Sequence, residues 1–344
     1  MTQALPEQPE DWTEPGAFPV LPGIHRIPLP LPSDGLRAVN VYAIQDAAGL
    51  VLVDSGWASP DSERALAAGL GRLGFALADV TRVLVTHAHH DHYTQAIALR
   101  ERFGSRVHLG RGERPSVEAF SRRDEPAQLA LLRRCGAPDV AEAFAVLMKE
   151  RGQAYDAPWG DPDVWLDDGQ VITLGMGRLG VFATPGHTRG HVVLRAGTAG
   201  VLFAGDHVLP HITPSIGYEA APEPAPLRSY LASLRLMAGL PDTLLLPAHG
   251  PVSVSVQTRV DQLLAHHEER LDAVLTQVLA GASTAYAVAE RLPWTRRRHR
   301  LEDMATEHKA LAILEIGAHL DLLAATGQLV FHEEDGVRSY APVS

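Results

Sequence analysis

Residues 86–92 constrain the fold more than any other part of the chain, because their sequence is THAHHDH. Four potential metal ligands fall within six residues, directly after an apolar run that predicts a buried strand. Residues i and i+2 of an extended segment share a face, so His87 and His89 can bind one ion. A tight turn after them would present Asp91 and His92 to a second ion. Imidazole nitrogen and carboxylate oxygen are ligands that suit Zn²⁺ and similar ions.

Three more potential ligands follow other apolar runs along the chain. They are His187 in the segment ATPGHT, Asp206 in FAGD and His249 in PAHG. Each stands beside glycine or proline, where a sharp turn can aim its side chain. An exposed histidine-rich loop would not need such partners. The sequence therefore predicts a metal centre assembled from several strand ends.

The series HxHxDH, TPGH, GD and PAHG resembles the metallo-β-lactamase-fold hydrolases. The resemblance covers about residues 20–253 and implies an α+β fold, an αββα sandwich with its active site at one edge of two sheets. It implies a first metal held by His87, His89 and His187, a second held by Asp91, His92 and His249, and a bridging Asp206. The residue at position 206 is Asp and not Cys, and in this respect the chain is similar to the glyoxalase II and ribonuclease side of the superfamily.

The expected cofactors are two divalent metal ions, with Zn²⁺ as first choice and Fe or Mn as alternatives, because imidazole and carboxylate accept all three. Two ions about 3.5–4 Å apart would share a hydroxide that attacks a carbonyl carbon or a phosphorus. Asp91 is expected to orient this hydroxide and so to be catalytic as well as a ligand. No G-x-S-x-G motif for a serine nucleophile is present.

Four other polar residues are candidates for supporting roles. Asp54, in the run VDSG, is expected to orient a ligand imidazole. His191 is expected either to support the ligands or to pack in the core. His207 and His211 follow Asp206 closely and are candidates for contacting substrate or for protonating a leaving group.

The chain divides by pattern into three parts. Residues 1–20 are expected to form an arm, and residues 21–253 the catalytic domain, with a helical insert at about 111–163. Residues 254–344 show the order helix, helix, helix and hairpin, which is typical of a winged-helix-like domain. In this the chain resembles the beta-lactamase-like-protein-2 group, whose metal domain carries such an appendage.

Charge and composition limit the expected partners. The formal net charge of −11 argues against a protein that coats nucleic acid, because such binding needs clustered Lys and Arg. The single cysteine, Cys135, cannot form an internal disulfide. No signal peptide or membrane-spanning run is recognisable, so a cytoplasmic protein with no membrane partner is expected. A homodimer is left open.

The insert guides the choice of substrate. It contains eight basic and ten acidic residues, so it offers no net attraction for phosphate. We expect it to cover the metal site and to wall an apolar pocket, for which Phe144, Met148, Trp159 and Trp165 are candidates. Hydrolysis of a small ester, thioester or lactone is therefore ranked first.

Two alternatives stay open. One is a single-strand endoribonuclease, since the resembling group includes such enzymes and the basic cluster at residues 294–300 could meet phosphates. The other is a ligand-sensing DNA-binding regulator, in which the metal domain binds a ligand and the C-terminal part contacts DNA.

Overall fold

The structure is a computed structural model that describes residues 6, 8–32, 36–151, 157–295 and 298–343. Arg296 and Arg297 of the basic cluster and part of the predicted arm lie outside this range. The strands are β1 (Phe18–Leu21), β2 (Ile24–Pro30), β3 (Ala38–Asp46), β4 (Gly49–Val53), β5 (Val80–Val85), β6 (Arg106–Gly110), β7 (Val164–Leu166), β8 (Val171–Leu174), β9 (Gly177–Ala183), β10 (Val192–Ala196), β11 (Val201–Gly205), β12 (Leu244–Pro247), β13 (Leu329–Glu334) and β14 (Val337–Pro342). The α-helices are α1 (Pro60–Arg72), α2 (His90–Phe103), α3 (Arg114–Arg122), α4 (Ala127–Arg134), α5 (Pro138–Arg151), α6 (Pro226–Ala238), α7 (Val256–Leu279), α8 (Ala285–Arg291) and α9 (Thr306–Ala325).

Two sheets form the centre of the described structure. Strands β1 to β7 lie in chain order in one sheet, antiparallel up to β4 and parallel from β4 to β7. The second sheet has the order β12-β11-β10-β9-β8, and only its β11–β12 pair is parallel. Strands β13 and β14 form a separate antiparallel hairpin.

The sheets pack face to face between two layers of helices. In β4, Leu50 and Leu52 pack with α1 and α2, whereas Val51 and Val53 pack against the second sheet. Successive side chains of a strand point to opposite faces, so a strand buried on both sides is apolar throughout. Strand β11 alternates in the same way between the first sheet and helices α6 and α7. This arrangement confirms the predicted αββα sandwich.

The insert between β6 and β7 forms helices α3 to α5, but its main packing partner differs from the expectation. Phe144 is completely buried in a core that α4 and α5 share with α7, α8 and α9, and Met148 packs against that core. Both residues were candidates for a pocket wall at the metal site, and the structure places them in this helical core instead. Helix α9 has buried residues around much of its circumference, so it needs apolar cover on several sides. The insert provides part of that cover.

The C-terminal part has the predicted order of helices α7, α8 and α9 followed by a hairpin. Its core is continuous with the insert, so a winged-helix domain that begins at residue 254 stays a prediction. Strand β1 starts at Phe18, inside the predicted arm. Within the part of the chain that the structure describes, no helix is long and apolar enough to cross a membrane.

A buried histidine pair joins α7 to α9. Nδ1 of His267 lies 3.2 Å from Nε2 of His319, and Nδ1 of His319 lies 2.7 Å from the carbonyl oxygen of Glu315. A carbonyl oxygen only accepts, so His319 donates through Nδ1 and accepts a hydrogen bond from His267. Burial, together with Arg270 and the neighbouring imidazoles, lowers the pKa of His267 to about 2 and that of His319 to about 4. Both rings are therefore neutral in the folded protein.

This pair predicts a loss of stability in acid. Both pKa values lie below the ordinary value of about 6.5, so the unfolded chain takes up protons first as the pH falls. The contribution of the pair to the free energy of unfolding is therefore complete above about pH 6.5. It decreases as the pH falls from there toward the pKa values of the folded state. We expect His267→Gln to flatten the pH dependence of the free energy of unfolding by about 2 kcal/mol between about pH 7 and pH 5. Urea unfolding at several pH values measures this, and the exposed His332→Gln is the control. Equal slopes for His267→Gln and the wild type would contradict it.

Candidate metal centre

The candidate metal centre lies where four strands end. The predicted ligands follow β5, β9, β11 and β12. The N–H of Val192 donates to the carbonyl of Thr86 over 2.9 Å, which joins the second sheet to the end of β5. The N–H of Ala248 donates to the carbonyl of Gly205 over 3.0 Å, which holds the ends of β11 and β12 together. Residues far apart in sequence thus meet at one edge of the sandwich, as predicted.

The histidine-rich segment continues into a helix rather than into a tight turn. Helix α2 begins at His90, with His89 in extended conformation before it, so Asp91 and His92 lie in the first helical turn. The expected turn is therefore wrong in form. A carboxylate in the first turn is favoured by the helix dipole and by the free N–H groups there, and the change from strand to helix still separates the side chains into two sets.

Two groups of ligand atoms result. Within each group the ligand atoms lie within 4.8 Å of one another. The first group is His87, His89, His187 and Asp206, and the second is Asp91, His92 and His249. All seven predicted ligands are thus brought together, and neither group contains a cysteine.

Asp206 lies between the two groups. Its Oδ2 is 3.5 Å from Nε2 of His187, in the first group. Its Oδ1 is 3.4 Å from Nε2 of His249 and 3.7 Å from Nε2 of His92, in the second group. One carboxylate therefore presents one oxygen to each group.

Hydrogen bonds fix how three ligand rings are oriented. Nδ1 of His187 donates to the carbonyl of Ser215 over 2.8 Å, and Nδ1 of His249 donates to the carbonyl of Ala38 over 2.8 Å. Nδ1 of His92 lies 3.0 Å from Oδ2 of Asp54. Because each Nδ1 is directed at an oxygen acceptor, each Nε2 can direct a lone pair into the cluster.

Asp54 supports both groups, which extends its predicted role. Besides His92, it accepts hydrogen bonds from the N–H of Thr86 over 2.8 Å and from the Thr86 hydroxyl over 3.0 Å. The hydroxyl has one proton to donate, so it accepts from Nδ1 of His87, which lies 3.1 Å away. Nε2 of His87 is then also left for the cluster.

His191 positions Asp206, the predicted bridging residue. Its Nε2 accepts a hydrogen bond from the N–H of Asp206 over 3.2 Å, so its Nδ1 carries the proton and faces the hydroxyl of Thr184 at 2.9 Å. Its ring also stacks on that of His87 at a centroid distance of 5.0 Å. His191 is therefore a buried supporting residue rather than a ligand.

The two groups differ in their charge environment. Burial lowers the pKa of His89 and of His187 to about 4, so both rings are neutral at neutral pH. Burial also lowers the pKa of His92, but Asp91, Asp54 and Asp206 outweigh it and raise that pKa to about 10. A cation that binds to the second group would therefore displace a proton.

The residues fit a pair of divalent cations. Nε2 of His92, Nε2 of His249 and Oδ1 of Asp206 are buried polar atoms with no hydrogen-bond partner among the described residues. Such atoms are costly unless something binds them. Neighbouring ligand atoms are 3.0 Å apart between His87 and His89 and 3.7 Å apart between His92 and Asp206. Two ligand atoms of a tetrahedral zinc site, each about 2.0 Å from the metal, are expected to lie about 3.3 Å from each other.

The remaining predicted histidines take other positions. His207 has no exposed surface, and its ring packs 5.3 Å from that of Tyr230, so its burial does not support contact with substrate. His211 is exposed on the surface and belongs to neither ligand group. His90 packs among Trp57, Phe120 and Trp159 and also belongs to neither.

Sequence reasoning missed three contributors to the centre. Asn40 donates to the carbonyls of Pro247 and Gly250 over 3.0 and 2.8 Å and so holds the loop of His249. The Ser215 carbonyl orients His187, and buried Glu113 lies beside the same loop. Asn40 had one visible signal, since it is a polar residue in the apolar run VNVYAI.

Comparisons with curated proteins identify relatives. The chain is 24% identical to Lactamase-like protein nscB of Neosartorya fischeri over 70% of its own length, but it spans only 57% of that relative. It is 23% identical to Thioesterase pkgB of Emericella nidulans over 70% of its length and 55% of that protein. The probable metallo-hydrolase YqjP of Bacillus subtilis is 25% identical over 92% of this chain and 93% of its own.

A solved structure and a family model complete the comparison. A metallo-beta-lactamase family protein of Thermus thermophilus shares 29% identity with a TM-score of 0.75, covering 94% of this chain and 99% of that one. The family model of the Metallo-beta-lactamase superfamily matches residues 34–249, more than half of the chain and the part that carries every candidate ligand. The chain therefore belongs to the metallo-beta-lactamase superfamily, a family of metal-dependent hydrolases.

Proposed function

We propose that the chain is a dinuclear hydrolase of a small ester, thioester or lactone. The observation that carries the dinuclear part is Asp206, whose two carboxylate oxygens face two separate ligand groups. Two divalent ions, with zinc as first choice, would supply an activated water and polarise the substrate's carbonyl oxygen. His87, His89 and His187 would hold one ion, and Asp91, His92 and His249 the other.

Asp91 is the residue best placed to orient the nucleophile. Burial raises the pKa of its carboxyl, but His92, His249 and His89 outweigh burial and hold that pKa well below its ordinary value. The carboxylate is therefore charged at neutral pH and can accept a hydrogen bond from an attacking water. The Asp91 side chain is 14% exposed, so solvent water can reach its carboxylate.

Aromatic residues around His90, which stands between the candidate ligands His89 and Asp91, support an acyl substrate. Phe120, from the insert, stacks on Trp159 at a centroid distance of 4.1 Å, and both rings pack against His90. Trp57 also stacks on the His90 ring, at a centroid distance of 5.0 Å. Phe120 and Trp159 are each partly exposed, so an apolar acyl group can contact them. The relationship to a protein named as a thioesterase points the same way.

The metal content tests the first part of this proposal. We expect two ions per chain after reconstitution at neutral pH, bound through nitrogen and oxygen, and we expect a chelator to abolish turnover. Metal analysis by mass spectrometry measures the content after each of zinc, iron and manganese has been supplied. Cys135→Ala should retain both ions, because Cys135 is in neither ligand group. One ion or none in the wild type would contradict the dinuclear centre.

A substrate panel tests the second part. We expect turnover of an aryl thioester or a lactone to exceed that of a β-lactam and of single-stranded RNA. A chelator should abolish any turnover that is observed. Phe120→Ala should raise KM for a bulky acyl thioester about tenfold, the effect of losing about 1.4 kcal/mol of apolar contact. Phe103→Ala, which removes an exposed ring on α2, is the matched control. Faster cleavage of RNA than of every acyl substrate would replace this proposal with the ribonuclease alternative.

A further inference from the structure

Glu113 is a buried carboxylic acid that the proposed chemistry does not use. It is the last residue of the short turn Arg111–Glu113 after β6 and has no exposed surface. Burial raises the pKa of its carboxyl to about 7, and no Lys or Arg side chain forms an ion pair with it among the described residues. Burying a carboxyl costs free energy unless hydrogen-bond donors compensate for it, so the donors around Glu113 indicate its purpose.

Those donors come from the two loops that carry the first ligand group. The hydroxyl of Thr188, next to His187, donates to Oε1 of Glu113. The backbone amides of Ala88, between His87 and His89, and of Gly190 lie close enough to lower the pKa of the carboxyl, whereas its Oε2 has no hydrogen-bond partner among the described residues. The carboxyl thus lies beside both loops and forms no hydrogen bond or ion pair with a ligand among the described residues.

Glycines bring the backbone of Glu113 against the second loop. A Cβ atom on Gly112 would lie 2.7 Å from the Cα of Gly190, closer than real Cβ atoms approach. A Cβ atom on Gly190 would overlap the backbone nitrogen of Glu113, and one on Gly110 would overlap the carbonyl of Gly190. The backbone of residues 110–113 is therefore in direct contact with the backbone at Gly190. This contact fixes how far the Glu113 carboxyl reaches toward the loop that follows His187.

A second buried carboxyl holds the same loop from another direction. The N–H of Arg189 donates to Oε2 of Glu219 over 2.9 Å, and Glu219 is 2% exposed. The residues just after His187 therefore have both a side-chain hydroxyl and a backbone amide committed to buried carboxyls. These two contacts fix the path of the backbone on which His187 depends for its direction.

We propose that Glu113 is a positioning residue for the first metal group, which it serves by tying the loop of His87 and His89 to the loop of His187. This role rests on the proposed metal centre. Residues that orient metal ligands without touching the metal commonly change metal affinity about 10–100-fold when replaced. Loss of Glu113 should therefore weaken one ion and spare the other, because the second group is oriented by Asp54 and by the Ala38 carbonyl.

The test uses the full-length protein with Glu113→Gln and Thr188→Val, and with Glu118→Gln as the control. Glu118 is an exposed carboxylate of the same insert, and it pairs with Arg114 on the surface. Titration of metal-free protein with Zn²⁺ gives the affinity of each ion, and amide hydrogen exchange of metal-free protein reports on residues 88 and 188–190. We expect Glu113→Gln to weaken one ion at least about tenfold and to speed exchange at those amides. Thr188→Val should act in the same direction with a smaller effect, and the two should not be additive.

Two results would overturn the role. One is that both variants bind both ions as the wild type does. The other is that both ions weaken equally together with a lower unfolding midpoint, which would make Glu113 only a structural residue. If the wild-type protein bound no Zn²⁺ at all, the metal centre itself would be wrong, and this role with it. That failure is distinguishable from failure of the Glu113 role alone, because it is seen in the wild type before any residue is replaced.

Discussion

Asp206→Asn is expected to lose one of two metal ions and to lower kcat about 1,000-fold, because contributions of metal ions to the transition state are several kcal/mol. The native carboxylate presents one oxygen to each ligand group, 3.5 Å from His187 and 3.4 Å from His249. An amide carries no charge to offset two cations, and its NH₂ group would face one of them. Metal analysis and turnover with the same acyl substrate measure both effects.

The fold of this variant should survive, because Asn has nearly the shape of Asp and the N–H of residue 206 still donates to His191. Asp61→Asn is the matched control, since Asp61 is a largely exposed carboxylate at the start of α1. Unchanged metal content in Asp206→Asn would remove the bridging role. A lost fold, measured by circular dichroism, would show instead that this carboxylate is needed for folding.

Phe144→Ala is expected to lower the free energy of unfolding by about 3–5 kcal/mol, the usual cost of removing a buried aromatic ring. Phe144 is completely buried where helix α5 of the insert meets the C-terminal helices, in the same core as Leu132, Ile313 and Leu320. Its loss should therefore destabilise the insert and the C-terminal helices together, in a single transition. Denaturation in urea, followed by circular dichroism and by tryptophan fluorescence, measures this.

Val146→Ala is the control, since it lies two residues away in α5 and is 58% exposed. It should change stability by less than about 0.5 kcal/mol, as surface substitutions usually do. A Phe144→Ala effect no larger than this would show that the insert does not depend on the C-terminal helices. The shared core also means that deleting the insert removes part of the C-terminal packing, so point substitutions test substrate choice more cleanly than a deletion does.

The ligands could be predicted because their signals are local. His87, His89 and Asp91 stand at fixed spacing after an apolar run, and His187 and His249 stand beside glycine or proline after other apolar runs. Few arrangements of strands allow such residues to meet, and the resemblance to a known family selected one. The same resemblance, rather than the pattern of any single strand, predicted the two-sheet sandwich.

The supporting contacts could not be predicted, since they depend on distant backbone atoms. Nothing in the sequence near His187 indicates that the carbonyl of Ser215 will accept a hydrogen bond from its ring, or that Glu113 will contact Thr188 across 75 residues of chain. The burial of His207 was equally invisible, because its position beside Asp206 is compatible with either face of the turn.

The sequence by itself determined the seven candidate ligands and the order of the C-terminal helices and hairpin, since both depend on short-range spacing and side-chain chemistry. Only the tertiary structure decided which apolar face meets which. The apolar stripe of α5 suits a substrate pocket and a protein core equally well, and it packs against α9, which has buried residues around much of its circumference. The side chains of Asp54, His191 and Glu113 acquired their roles in the same way, from long-range proximity that spacing along the chain does not encode.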